Sequence, residues 1–105
     1  MRHKFFVRRR KEIIGLWYNP TIEMCYVAGP KSHRVLAEEV LGFLVRYAKV
    51  SRPPKPKVVD GCRIRAKIPM KRRSFEIAYY WLMTEGLKEL DVTIQRTKTF
   101  RRLCA

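Results

Sequence analysis

Residues 62–70 read Cys-Arg-Ile-Arg-Ala-Lys-Ile-Pro-Met and alternate strictly. In an extended chain Cys62, Ile64, Ala66 and Ile68 fall on one side, and Arg63, Arg65 and Lys67 fall on the other, because successive strand side chains point to opposite faces. One side suits a core. The other presents three cations spaced by roughly 6.6 Å, twice the rise per residue, close to the separation of successive phosphates on an extended nucleic-acid strand. No other short stretch ties fold and charge together so directly.

The segments flanking this strand are breaks in regular structure. Upstream, Val50 to Lys57 (Val-Ser-Arg-Pro-Pro-Lys-Pro-Lys) carries three prolines. They exclude helix and central strand and stiffen the segment toward polyproline II. The segment reads as an exposed basic loop near 51–57 that presents Arg52, Lys55 and Lys57. Downstream, Pro69 ends the strand and Met70-Lys71-Arg72-Arg73 forms a basic cluster before Ser74. Ser74 is the expected N-cap of a helix, with Ile77, Ala78, Trp81 and Leu82 as its apolar stripe. Lys71, Arg72 and Arg73 then lie where free backbone N–H groups also favour anions.

The remaining elements follow from periodicity. Met1 to Lys11 interleaves Arg8, Arg9, Arg10 and Lys11 with Phe5, Phe6 and Val7. It reads as a basic arm, or as a first strand burying Phe5 and Val7, or Phe6. Glu12 to Tyr18 is rich in β-branched and aromatic residues and is expected to be a strand. Tyr18-Asn19-Pro20-Thr21 is a turn, and Thr21 to Val27 a second strand with Ile22, Met24 and Tyr26 on one face, ended by Ala28-Gly29-Pro30. Ser32 is an N-cap candidate for a helix whose stripe is Leu36, Val40, Phe43, Leu44 and Tyr47. Gly42 inside it marks an expected close contact. The last strand, Asp91 to Phe100, sends Val92 and Ile94 toward the core and carries Arg96 and Lys98 beyond them on the same face. Arg101 and Arg102 extend it as a basic ribbon.

The order strand, strand, helix, basic strand, helix, strand predicts a single α+β domain over residues 1–105. In this small two-layer arrangement, two helices cover one face of an antiparallel or mixed sheet, and the other face carries Arg63, Arg65 and Lys67. An alternative takes Trp81 to Leu90 (Trp-Leu-Met-Thr-Glu-Gly-Leu-Lys-Glu-Leu) and the basic ribbon after it as the end of a winged helix, which that stretch resembles. Hydrophobic residues make up 47% of the chain, enough for a folded core.

The formal net charge is +15, from 24 Lys and Arg against 9 Asp and Glu. Such an imbalance is self-repelling in the compact state and points to a polyanionic partner. Catalysis has no constellation to rest on. There is no phosphate-binding glycine motif, the two histidines (His3 and His33) are 30 residues apart, and the carboxylates are scattered. No metal or cofactor is expected, because the three cysteines (Cys25, Cys62, Cys104) form no C-x-x-C pair. Reduced thiols fit an intracellular, reducing compartment. No apolar run approaches the length of a membrane span, and the basic N-terminus lacks the apolar stretch of a secretory signal.

The first functional expectation is therefore a non-catalytic nucleic-acid-binding protein. RNA is preferred over DNA because the cations are dispersed over an arm, a sheet face, a loop and a ribbon. Dispersion suits wrapping of structured RNA, as in ribosomal or viral RNA-binding proteins, whether as a homodimer or as a component of a larger ribonucleoprotein. The alternatives are a winged-helix DNA-binding regulator and a basic protein that meets an acidic protein or an anionic membrane.

Overall fold

The structure is a computed structural model that describes residues 3–50 and 55–96. Among these, six strands form one antiparallel sheet: β1 (His3–Arg9), β2 (Glu12–Asn19), β3 (Met24–Pro30), β4 (Lys57–Val58), β5 (Arg63–Pro69) and β6 (Thr93–Arg96). Their spatial order is β4-β5-β3-β2-β1-β6. Two helices, α1 (Arg34–Ala48) and α2 (Arg72–Trp81), cover one face. This is the expected α+β architecture. The described residues do not form the winged-helix alternative: they build one six-stranded sheet, in which β6 joins beside β1.

The side-chain alternation of each strand dictates which face meets the helices. Phe5 and Val7 of β1, Ile14, Leu16 and Tyr18 of β2, Cys25 and Val27 of β3, and Ile64, Ala66 and Ile68 of β5 are all buried. For β5 the magnitudes leave no choice. A one-residue slip would bury Arg63, Arg65 and Lys67 at several kcal/mol per unpaired ion. It would also forfeit about 1.5–3 kcal/mol for each isoleucine moved to water.

Helix α1 contributes Leu36, Ala37, Val40, Leu41, Phe43, Leu44 and Val45 to the same core. It ends where Lys49 takes the left-handed conformation (φ 56°) and its N–H caps the Val45 carbonyl. Helix α2 buries Phe75 and Ala78, then continues through a π-helical turn, Leu82–Gly86, into a last turn, Leu87–Glu89. Gly86 has a packing role there: a Cβ on it would stand 2.9 Å from Leu82 Cδ1 and 3.1 Å from Phe43 Cζ. The Tyr18 hydroxyl is fully buried and donates to the Met70 carbonyl at 2.7 Å, which pins the start of α2 to the sheet. Every buried side-chain polar atom among the described residues has a partner.

Of the two readings of the N-terminal stretch, the strand holds from His3 onward, because Phe5 and Val7 alternate into the core. Several other local expectations are corrected. The second strand begins at Met24 and runs through Ala28 and Gly29 to Pro30. Cys25 and Val27 are its inward residues, and Ile22 lies in the turn, 53% exposed. Neither expected serine cap forms. A 3₁₀ turn, Lys31–His33, precedes α1, and α2 starts at Arg72, where the Phe75 N–H already reaches the Lys71 carbonyl. Among the described residues, nothing lies within 4 Å of a Cβ added at Gly42, so the expected close contact is not made. The α2 stripe is Phe75, Ala78 and Leu82, while Ile77 and Trp81 are exposed.

Candidate nucleic-acid interface

The strand parity that builds the core also composes the opposite, helix-free face. It carries Lys4, Phe6 and Arg8 from β1, Ile13, Gly15, Trp17 and Asn19 from β2, and Met24, Tyr26 and Ala28 from β3. Arg63, Arg65 and Lys67 come from β5, Lys57 from β4, and Thr93 and Gln95 from β6. Among the described strand residues this face holds six cations, Lys4, Arg8, Lys57, Arg63, Arg65 and Lys67, and no carboxylate. The five other than Lys4 are exposed.

The register aligns these residues into rows across the strands. One row runs Lys4, Trp17, Tyr26, Lys67. Its two aromatic rings stack, with centroids 5.0 Å apart and planes 12° from parallel, and a lysine flanks the pair on each side. Three inter-strand steps place Lys4 and Lys67 roughly 14 Å apart. The neighbouring row runs Gln95, Phe6, Gly15, Ala28, Arg65, Lys57. Gly15 and Ala28 are its smallest members and form a low strip beside the aromatic pair. A Cβ at Gly15 would already touch the Trp17 ring at 3.7 Å.

This arrangement has a specific chemical capacity. Ammonium and guanidinium groups attract phosphates without regard to sequence, and aromatic rings offer apolar contact to bases of any identity. This sheet face displays both at once, and its inter-strand spacing separates them. Among the described residues no three His, Cys, Asp or Glu side chains gather as a metal site. No helix among them is long and apolar enough to cross a membrane.

The other cations singled out in the sequence lie elsewhere. Arg9 points to the helix side, where its guanidinium pairs with Glu39 at 2.6 Å and donates to the Leu90 carbonyl at 3.1 Å. The hydrogen bond with Glu39 holds its charge more firmly than an ordinary arginine's. Arg9 thereby ties β1 to α1 and to the end of the α2 segment. Arg10 and Lys11 occupy the β1–β2 turn, with Arg10 at φ 57°. Lys55 is exposed just before β4. Lys71, Arg72 and Arg73 are exposed at the start of α2, and Arg72 is paired with Glu76 at 3.1 Å. Arg96 lies on the helix side of β6, opposite Phe5. Arg52, Lys98, Arg101 and Arg102 lie outside the described residues. His33 is a structural contact: its Nδ1 lies 3.1 Å from the Ile13 carbonyl.

Trp17 and Tyr26 were not apparent as interface residues from the sequence. The signal that finds them is parity. Both stand on the side opposite the buried Leu16, Tyr18, Cys25 and Val27, and both are only half-buried. Comparison with protein-family models, curated proteins and solved structures gave no match.

Proposed function

We propose that the protein is a non-catalytic RNA-binding protein that uses the helix-free sheet face, either on its own or within a larger ribonucleoprotein. The observation that carries the reading is the row Lys4, Trp17, Tyr26, Lys67 on a face whose described strand residues include six cations and no acid. Phosphates sit on the lysines and arginines, and unpaired bases meet the aromatic centre. A duplex hides its base faces and offers the centre nothing. Structured RNA that presents loops or bulges satisfies both parts. The winged-helix DNA reading loses the fold it required. A basic protein binding an acidic protein remains the second reading, and the charge of +15 alone favours it.

The test is binding of the full chain to matched single-stranded RNA, a hairpin RNA with a loop, duplex RNA and duplex DNA, each across a salt series. Hairpin and single-stranded RNA are expected to bind more tightly than either duplex. A preference for duplex DNA that persists at high salt overturns the proposal. Failure to bind any nucleic acid at moderate salt overturns it in favour of an acidic protein partner.

A further inference from the structure

Helix α2 has a second side that the sheet does not use. Phe75, Ala78 and Leu82 face the core, whereas Ile77, Tyr80 and Trp81 stand outward with 43%, 60% and 37% of their surface exposed. Together with Arg73 and Glu76 they line an open groove of about 400 Å³. The rings are held in place. Trp81 stacks on Tyr47 of α1 with centroids 5.3 Å apart, and Tyr80 meets Trp81 edge-on at 5.7 Å. The inner side of α2 differs. There Phe5, Tyr18, Phe75 and Tyr79 pack on one another around a small hollow, with Arg96 at its β6 edge. Tryptophan and tyrosine side by side on an outer surface are the residues that protein–protein contacts concentrate.

The charges on this side show what fits it. Arg73, Ile77, Trp81 and Glu85 follow one another at intervals of four residues, so they form one row along the helix, and all four are exposed. Glu85 lies in the π-helical turn, whose wider spacing still returns the fourth residue after Trp81 to the same side. The row spans about 18 Å along the helix axis. It has a cation at one end, an anion at the other and an apolar centre. Neighbouring charges are already matched, Arg72 with Glu76 and Arg46 with Glu89. Arg73 and Glu85 make no ion pair among the described residues. Such a row is complementary to itself when reversed. Two copies of α2 laid antiparallel, with a two-fold axis midway between Ile77 and Trp81, set Arg73 against Glu85 of the partner subunit and Ile77 against Trp81 of the partner subunit. The same contacts repeat across the axis, as an isologous interface requires.

We propose that α2 docks against α2 of a second copy of this chain through the row Arg73, Ile77, Trp81 and Glu85, with Tyr80 flanking the apolar centre. One helix face makes a contact of the small class, below about 1,200 Å² in total, so the dimer is weak and reversible. The two helix layers meet back to back, and both helix-free sheet faces stay open and point away from each other. The proposal does not rest on what those faces bind.

The test is sedimentation equilibrium of the full chain, freed of nucleic acid, from about 5 µM to about 500 µM, the range in which contacts of this class associate. A monomer–dimer equilibrium is expected. Tyr80→Glu is expected to weaken it by about tenfold or more with an unchanged urea midpoint, since each dimer would hold two carboxylates beside its apolar centre. Arg73→Glu and Glu85→Arg are each expected to weaken it by about tenfold, because each sets like charges against one another at both ends of the contact. Combining the two restores the affinity of the parent chain, since the ends of the row have exchanged sign. In an NMR dilution series the signals of Ile77 and Tyr80 should shift while those of Trp17 stay fixed. A monomer at every concentration overturns the proposal and leaves the groove to a different protein. A dimer unaffected by Tyr80→Glu, a double reversal no tighter than the single changes, or dilution shifts confined to the open sheet face would each overturn it as well.

Discussion

Replacing Arg63, Arg65 and Lys67 together by glutamine removes half of the six cations among the described residues of the open face and touches nothing in the core. All three side chains are exposed, and their buried neighbours Ile64, Ala66 and Ile68 are unaltered. Binding to a single strand releases about 0.7 counterion per phosphate neutralised, so six contacts give a log–log salt slope of about −4.2. That slope corresponds to an affinity loss of about 300-fold between 50 and 200 mM salt. Three contacts give a slope of about −2.1 and a loss of only about 20-fold over the same range. Fluorescence anisotropy with a labelled single-stranded RNA, repeated at five or six salt concentrations, resolves a difference of this size. The variant should also unfold at the same urea concentration as the parent protein. A parent slope shallower than about −1 would refute phosphate contact as the source of affinity. An unchanged slope in the triple variant would show that the strand lies on other cations.

Three further outcomes test the packing. Gly42→Ala places a methyl in open space on an exposed helix position and is expected to gain about 0.5–1 kcal/mol. Gly86→Ala drives its methyl into Leu82 and Phe43 and is expected to lose about 1–3 kcal/mol, both read by urea denaturation. Tyr18→Phe leaves the buried Met70 carbonyl without its donor and should cost about 1–3 kcal/mol by the same assay. Burial pushes the Cys25 thiol up to about 12 from an ordinary 9.0. The unfolded chain therefore loses this proton first, and the stability it contributes is intact below pH 9 and declines as pH rises toward 12. Burial raises the Tyr18 pKa too, so its ionisation adds to the same alkaline loss. Denaturation midpoints at pH 8, 10 and 11 should fall in that order. Peptide mapping after thiol labelling should show exposed Cys62 modified well before Cys25.

Residues 62–70 were legible because charge and apolarity alternate without exception, and any other register would have buried cations. Helix α1 was legible for a similar reason: Leu36, Val40, Phe43 and Leu44 leave only one apolar side. Helix α2 was harder because it is apolar on two sides. Ile77 and Trp81 fit a helical period as well as Phe75, Ala78 and Leu82 do. The choice is made by Tyr18 and Phe5 in the sheet, which stack on Phe75 and Tyr79 across long sequence separations. The serine caps failed because both serines lie inside the turns they were expected to precede: Lys71 is the cap position of α2, which places Ser74 in its first turn, and Ser32 falls within the 3₁₀ turn Lys31–His33. In the interface, the cations of β5 could be read from alternation alone. The aromatic pair required the pairing of Trp17 with Tyr26, which depends on where the β2–β3 turn closes.

The short strand β6 has a kinetic consequence. Among the described residues it pairs with β1 alone, so the first and last described strands of the chain are neighbours, and no hairpin turn joins them. The β1–β2 hairpin, by contrast, closes over two residues. Contacts so distant in sequence form late, after the chain between them has been ordered. A four-residue edge strand is also an early place for the sheet to open. Hydrogen exchange should therefore release the amides of Thr93 to Arg96 ahead of those in β2 and β3. Arg96 belongs to this outermost unit, so the Arg96 side of the hollow between α2 and β1 is assembled last during folding and opens first in the native state.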